Sequence, residues 1–175
     1  MKKTLVAILV LALASLAALS AVDSFDVDTE VEGVSKMKIT TCRYSSTIPE
    51  DLEGADSFGS LDVVAAGSQN FSAWLSTMSN NRTGYTVSMS ATAMKNTNPN
   101  QAEAYINYTV SVDNKAITTN NTTSSPTSID VITVTDLTEL TVASSQIALT
   151  VDPTTFSAAI EGSYAGTVTF TFAAT

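Results

Sequence analysis

Gly162-Ser-Tyr-Ala-Gly-Thr-Val-Thr-Phe-Thr-Phe-Ala-Ala-Thr175 alternates apolar and hydroxyl-bearing side chains to the end of the sequence. Tyr164, Gly166, Val168, Phe170, Phe172 and Ala174 share one parity, and Ala165, Thr167, Thr169, Thr171 and Ala173 share the other. Successive side chains of a strand point to opposite faces, so this period of two predicts a half-buried β-strand. No turn or further strand follows it in the sequence. It is therefore expected to pair with an earlier strand or to offer an open edge to another chain, and an open edge with an apolar face is a polymerisation site.

The same period recurs through the chain. Phe25, Val27, Thr29, Val31 and Gly33 alternate with Asp26, Asp28, Glu30 and Glu32, which predicts a strand over residues 21–34 with one dry face and one acidic face. The Asp26-x-Asp28-x-Glu30 spacing lacks the twelve-residue ligand pattern of a calcium loop, so the acids are read as a solvated face. A further strand is expected over residues 34–42. Phe71, Ala73 and Leu75 share a parity, as do Tyr85, Val87, Met89 and Ala91, and the Asn-rich Ser79-Asn-Asn-Arg-Thr-Gly84 between them predicts a β-hairpin. Trp74 has the opposite parity, as a surface aromatic for a partner or a plug over a sheet edge.

Residues 102–112 read as one long strand, and residues 129–134, 139–142, 147–151 and 156–160 as short ones. Turn-forming residues make loops of 45–59, 96–101 and 118–128. Short β-prone runs at this spacing indicate a single all-β, antiparallel β-sandwich over residues 35–175.

Residues 1–20 carry two lysines, an apolar run and then small residues, the anatomy of a secretory signal peptide cleaved after Ser20 or Ala21. Its loss would remove Lys2 and Lys3 and leave six basic side chains against 17 acidic ones, a net charge of −11. Such a surface repels nucleic acid and anionic membranes, and no second apolar run is long enough to span a bilayer. Cys42 is the only cysteine, so no intrachain disulfide can form; it is expected to be packed and inert, the alternative being a bridge to another chain. Sequons at Asn70, Asn81, Asn107, Asn120 and Asn121 follow from a composition rich in Asn and Thr.

Familiar catalytic chemistry has few carriers here. Histidine is absent, one thiol cannot build a thiolate zinc site, and no glycine-rich phosphate loop follows a strand. A non-enzymatic protein with no catalytic, metal or cofactor-binding residues is expected.

The leader, the acidic alternating strand, the stretch Leu75-Ser-Thr-Met-Ser-Asn-Asn-Arg-Thr-Gly-Tyr-Thr-Val-Ser-Met89 and the ending Gly162-Ser-Tyr-Ala-Gly-Thr-Val-Thr-Phe-Thr-Phe172 together resemble bacterial fimbrial subunits of the chaperone-usher type. The likeness is to disulfide-free colonisation-factor fimbrins and spore-coat-U-like secreted domains. It implies an immunoglobulin-like sandwich lacking its last strand, filled by the N-terminal extension of the next subunit. Phe25, Val27, Thr29, Val31 and Gly33 would then be the donor face, and Gly162, Tyr164, Val168, Phe170 and Phe172 the acceptor strand. A homopolymer, a periplasmic chaperone as partner and a route from periplasm to cell surface follow from the resemblance. The alternative is a self-complete secreted sandwich, its N-terminal strand folded back beside residues 164–172, that binds carbohydrate or protein through its loops and Trp74.

Overall fold

The computed structural model describes residues 27–121 and 128–175. The expected signal peptide and Phe25 lie outside them. The chain divides after Val31, and Glu32–Thr175 forms one unit. Of the first unit, the described Val27–Val31 stretch takes no regular secondary structure, and Val27 and Val31 are 80% and 79% exposed. The strand expected over residues 21–34 is thus not formed in its described part, because an amphipathic ribbon becomes a strand only when a ladder partner satisfies its backbone.

Twelve strands and two short helices make up the second unit among the described residues. The larger sheet runs in the order β1 (Ser35–Thr40), β3 (Trp74–Ser79), β10 (Thr141–Val151), β7 (Tyr108–Val112), β8 (Lys115–Thr118), with β2 (Gly67–Ser68) pairing β10. Facing it is a three-stranded sheet of β12 (Val168–Ala174), β4 (Tyr85–Ala91) and β9 (Ile129–Val134). A small third sheet joins β11 (Tyr164–Ala165), β5 (Met94–Asn96) and β6 (Tyr105–Ile106). All pairings are antiparallel, so the fold is an antiparallel β-sandwich.

The inner faces follow the parities of the sequence. Leu75, Tyr85, Val87, Met89, Val110, Val112 and Val151 are all fully buried in one core. Two hydroxyls tie the layers across it: Thr77 Oγ1 lies 2.9 Å from the Tyr85 hydroxyl, and Tyr108 donates to the Thr92 carbonyl at 2.8 Å. Each satisfies a polar group that would otherwise be costly to bury.

Several expectations need correction. β3 and β4 form no hairpin: β3 pairs with β1 and β10, β4 with β9 and β12, and residues 80–84 arch from one sheet to the other. Residues 139–142 and 147–151 do not form separate strands; Thr141–Val151 is continuous, its middle hidden from pattern reading because Ala143, Ser144 and Ser145 carry no large apolar side chain. The strand expected at 156–160 is replaced by a short helix, Pro153–Ser157, started by Asp152, whose carboxylate accepts from Thr154 N at 2.8 Å.

The expected loop at 45–59 also contains a helix, α1 (Pro49–Gly54), which lies on the outer face of the larger sheet. Leu52 is buried there at 1% exposure, as are Ser76 and Met78 on β3 beneath this cover. A hydroxyl chain from Thr40 to Ser76 (2.9 Å) to Ser144 (3.0 Å) satisfies the polar atoms. The Lys36 ammonium clasps Glu53 at 2.5 Å and holds its carboxyl below the usual carboxylate range. Cys42, just ahead of this segment, is exposed rather than packed.

Candidate functional site

β12 is paired along its whole length with β4, from Val168 opposite Ala91 to Ala174 opposite Tyr85. Among the described residues no strand pairs with its other edge. The direction of its backbone groups follows from its ends: the Thr167 carbonyl accepts from Thr92 N at 2.9 Å, and Thr175 N donates to the Gly84 carbonyl at 3.1 Å. Antiparallel ladders alternate, so residues of that parity face β4. The amides and carbonyls of Val168, Phe170, Phe172 and Ala174 therefore face the open edge. Their side chains point inward, with Phe172 stacked on Tyr85 at a centroid distance of 4.9 Å and an interplanar angle of 17°.

Beside this edge the two sheets gape. β8 and β9 approach each other at one side of the sandwich and β1 and β12 at the other, where a cleft of about 470 Å³ opens. Ile39, Phe71, Tyr108, Leu149, Val168 and Phe170 line it, so its walls belong to both sheets and are mostly hydrocarbon. A second hollow of about 660 Å³ shares Leu61, Val63, Met94 and Tyr164 with the first and extends to Phe156, Ile160 and Gly162. Of the residues read as an acceptor strand, Val168 and Phe170 meet in the cleft, Tyr164 stands between the two hollows, and Gly162 lies in the bend before β11.

Comparison with protein-family profiles, curated proteins and solved structures gave no match. The site is thus characterised by its own chemistry, which is apolar surface beside unpaired main chain. Among the described residues no group of three or more His, Cys, Asp or Glu side chains is placed to hold a metal ion. Trp74 is half-buried on the outer face of the larger sheet, opposite Thr40 and Gln146, away from the cleft lining. Three sequon asparagines serve the fold: Asn107 Nδ2 donates to Asn121 Oδ1 at 2.8 Å, and Asn81 Nδ2 donates to the carbonyls of Gly84 and Thr175 at 2.9 and 3.0 Å.

Sequence reasoning missed the contribution of Tyr108, Phe58, Leu61 and Val63 to this site. Tyr108 had a parity signal for burial, but nothing local marks it as the bridge between sheets. Burial pushes its phenol from the ordinary 10.0 up to about 12. The folded state therefore holds this proton more tightly than the unfolded chain. The resulting stability is present in full below pH 10 and is lost as pH rises through 12. Replacing Tyr108 with Phe should cost about 1 kcal/mol at neutral pH from the lost hydrogen bond, and should flatten the alkaline fall in urea midpoint measured from pH 9 to 12.

Proposed function

We propose that this protein is an exported structural subunit of a surface polymer, joined to its neighbours by insertion of residues 25–33 of one chain beside β12 of the next. The observation that carries this reading is the unpaired β12 edge bordering an apolar cleft. Water alone does not satisfy both, since an inserted strand would bond the free amides and cover the hydrocarbon at once.

Residues 25–33 fit that place in length and pattern. Nine residues extend about 30 Å, enough to run the full seven residues of β12, about 23 Å. Phe25, Val27, Thr29, Val31 and Gly33 would face the cleft, and the four intervening acids would remain in water. Val27 and Val31 are exposed at present, so their burial is still to be gained. The negative charge of the chain opposes association through self-repulsion, which makes assembly faster in salt. An adhesive role at a cell surface is the setting in which such a fibre would act.

The test is the Val27→Asp/Val31→Asp chain. Both positions are exposed, so the variant should unfold at the wild-type urea midpoint, yet light scattering should find monomers where wild-type protein forms polymers. A wild-type protein that stays monomeric at high concentration and in salt would instead favour the self-complete sandwich.

A further inference from the structure

We infer that residues 59–66 are an internal stand-in for the inserted strand, occupying the mouth of the cleft until another chain displaces them. This rests on the assembly reading above and concerns how that same site is kept closed. The segment has the side-chain habit of a strand: Leu61 and Val63 are half-buried and line the cleft, while Asp62 and Val64 point out, Val64 at 86% exposure. It has none of a strand's backbone bonding. Among the described residues, no main-chain group from 59 to 66 bonds another main-chain group, and only the Ala65 carbonyl is held, by Gln69 Nε2 at 2.9 Å.

Both ends of the segment are pinned. At its front, Thr41 N donates to the Asp56 carbonyl at 3.1 Å, Phe58 N donates to the Ile39 carbonyl at 2.9 Å, and the Phe58 ring meets Phe71 at 5.5 Å. At its rear, Gly67 turns with a φ of 88° into β2, whose residues pair with Thr150 and Val151. Between these pins the stretch is held by apolar side chains and by the one bond from Gln69 Nε2 to the Ala65 carbonyl. It hides the hydrocarbon of the cleft while leaving the β12 edge unbonded. An entering strand offers the same apolar cover plus a ladder to β12, so it outcompetes the strap, and release of the strap sets the pace of assembly. Freed, the segment stays tethered at Phe58 and Gly67 and can only bulge outward.

Weakening the strap in the full chain tests this. Leu61→Ser/Val63→Ser should raise the initial polymerisation rate at least tenfold by light scattering. Ile117→Ala, in β8 at the opposite edge of the larger sheet, serves as a control that destabilises without touching the cleft. It should keep the wild-type rate. On unaltered protein, chymotrypsin should cut after Leu61 faster in polymers than in monomers, because displacement exposes it. If wild-type chains polymerise but the double variant does so no faster than the control, or the strap is cut no faster in polymers, the strap is a permanent part of the core and the inference falls while the assembly reading stands. Failure of wild-type chains to polymerise at all overturns both.

Discussion

Mixing two variants, each unable to polymerise alone, should yield dimers of one chain of each and nothing longer. The first variant is Val27→Asp/Val31→Asp, which spoils the inserting segment and leaves its cleft intact. The second is Phe170→Glu, which spoils the cleft and leaves residues 25–33 intact. Phe170 is half-buried at the cleft wall, so a carboxylate there can reach water in the unassembled chain. An inserted strand would seal it from water with no cation to pair it, and an unpaired buried charge costs several kcal/mol.

The two valines contribute about 1.5 to 3 kcal/mol each when fully buried, so their loss alone weakens binding by two to four orders of magnitude. One intact donor and one intact cleft remain in the mixture, and they can meet only once. Sedimentation should therefore show a single species of twice the chain mass at equimolar mixing, and monomers of either variant alone. Polymers from either variant alone would refute the pairing of these two surfaces. Two non-interacting monomers in the mixture would do the same.

Gly84→Ala should be the most damaging single-methyl change in the chain. Gly84 sits in the arch from β3 to β4 at a φ of 96°, a left-handed angle that costs any side-chain-bearing residue. A Cβ there would lie 1.9 Å from the Val134 carbonyl oxygen, 2.8 Å from its carbon and 2.9 Å from Thr135 Cα. These are main-chain atoms of β9 and the residue after it, which pair and pack beside Tyr85, so relief requires moving a strand. The same glycine's carbonyl receives Thr175 N and Asn81 Nδ2, and its N–H reaches the Asn81 carbonyl at 2.9 Å. The change should cost about 3 kcal/mol, lowering the urea midpoint by about 1 to 2 M with the slope unchanged. An unaltered midpoint would show that the arch can shift freely.

Much of the fold was legible along the chain. The shared parity of Tyr85, Val87, Met89 and Ala91 predicts their burial, and all four are buried. The same reading places Val168, Phe170 and Phe172 on the inner face of an edge strand. Local signals were also present where the reading failed. Pro49 with Glu50 and Asp51 behind it is a helix start, and so is Asp152-Pro153, yet short helices lack the turns of periodicity that would have outweighed neighbouring strand patterns. Asn81 and Gly84 read as hairpin residues, but the left-handed backbone they supply serves an arch between sheets as well as a turn within one.

Alternation is written residue by residue, so the chain alone marks strands such as Tyr85–Ala91 and Val168–Ala174 and which side of each is dry. Which strands become neighbours depends on pairings between residues far apart in the sequence, such as Phe172 with Val87 or Ile147 with Val112, and no local pattern encodes them. Only the assembled sandwich reveals that β12 is bonded on one side, that the sheets part beside it, and that residues 58–63 lie in the opening. An unpaired edge is a property of what does not pack next to a strand, and that is decided by the fold as a whole.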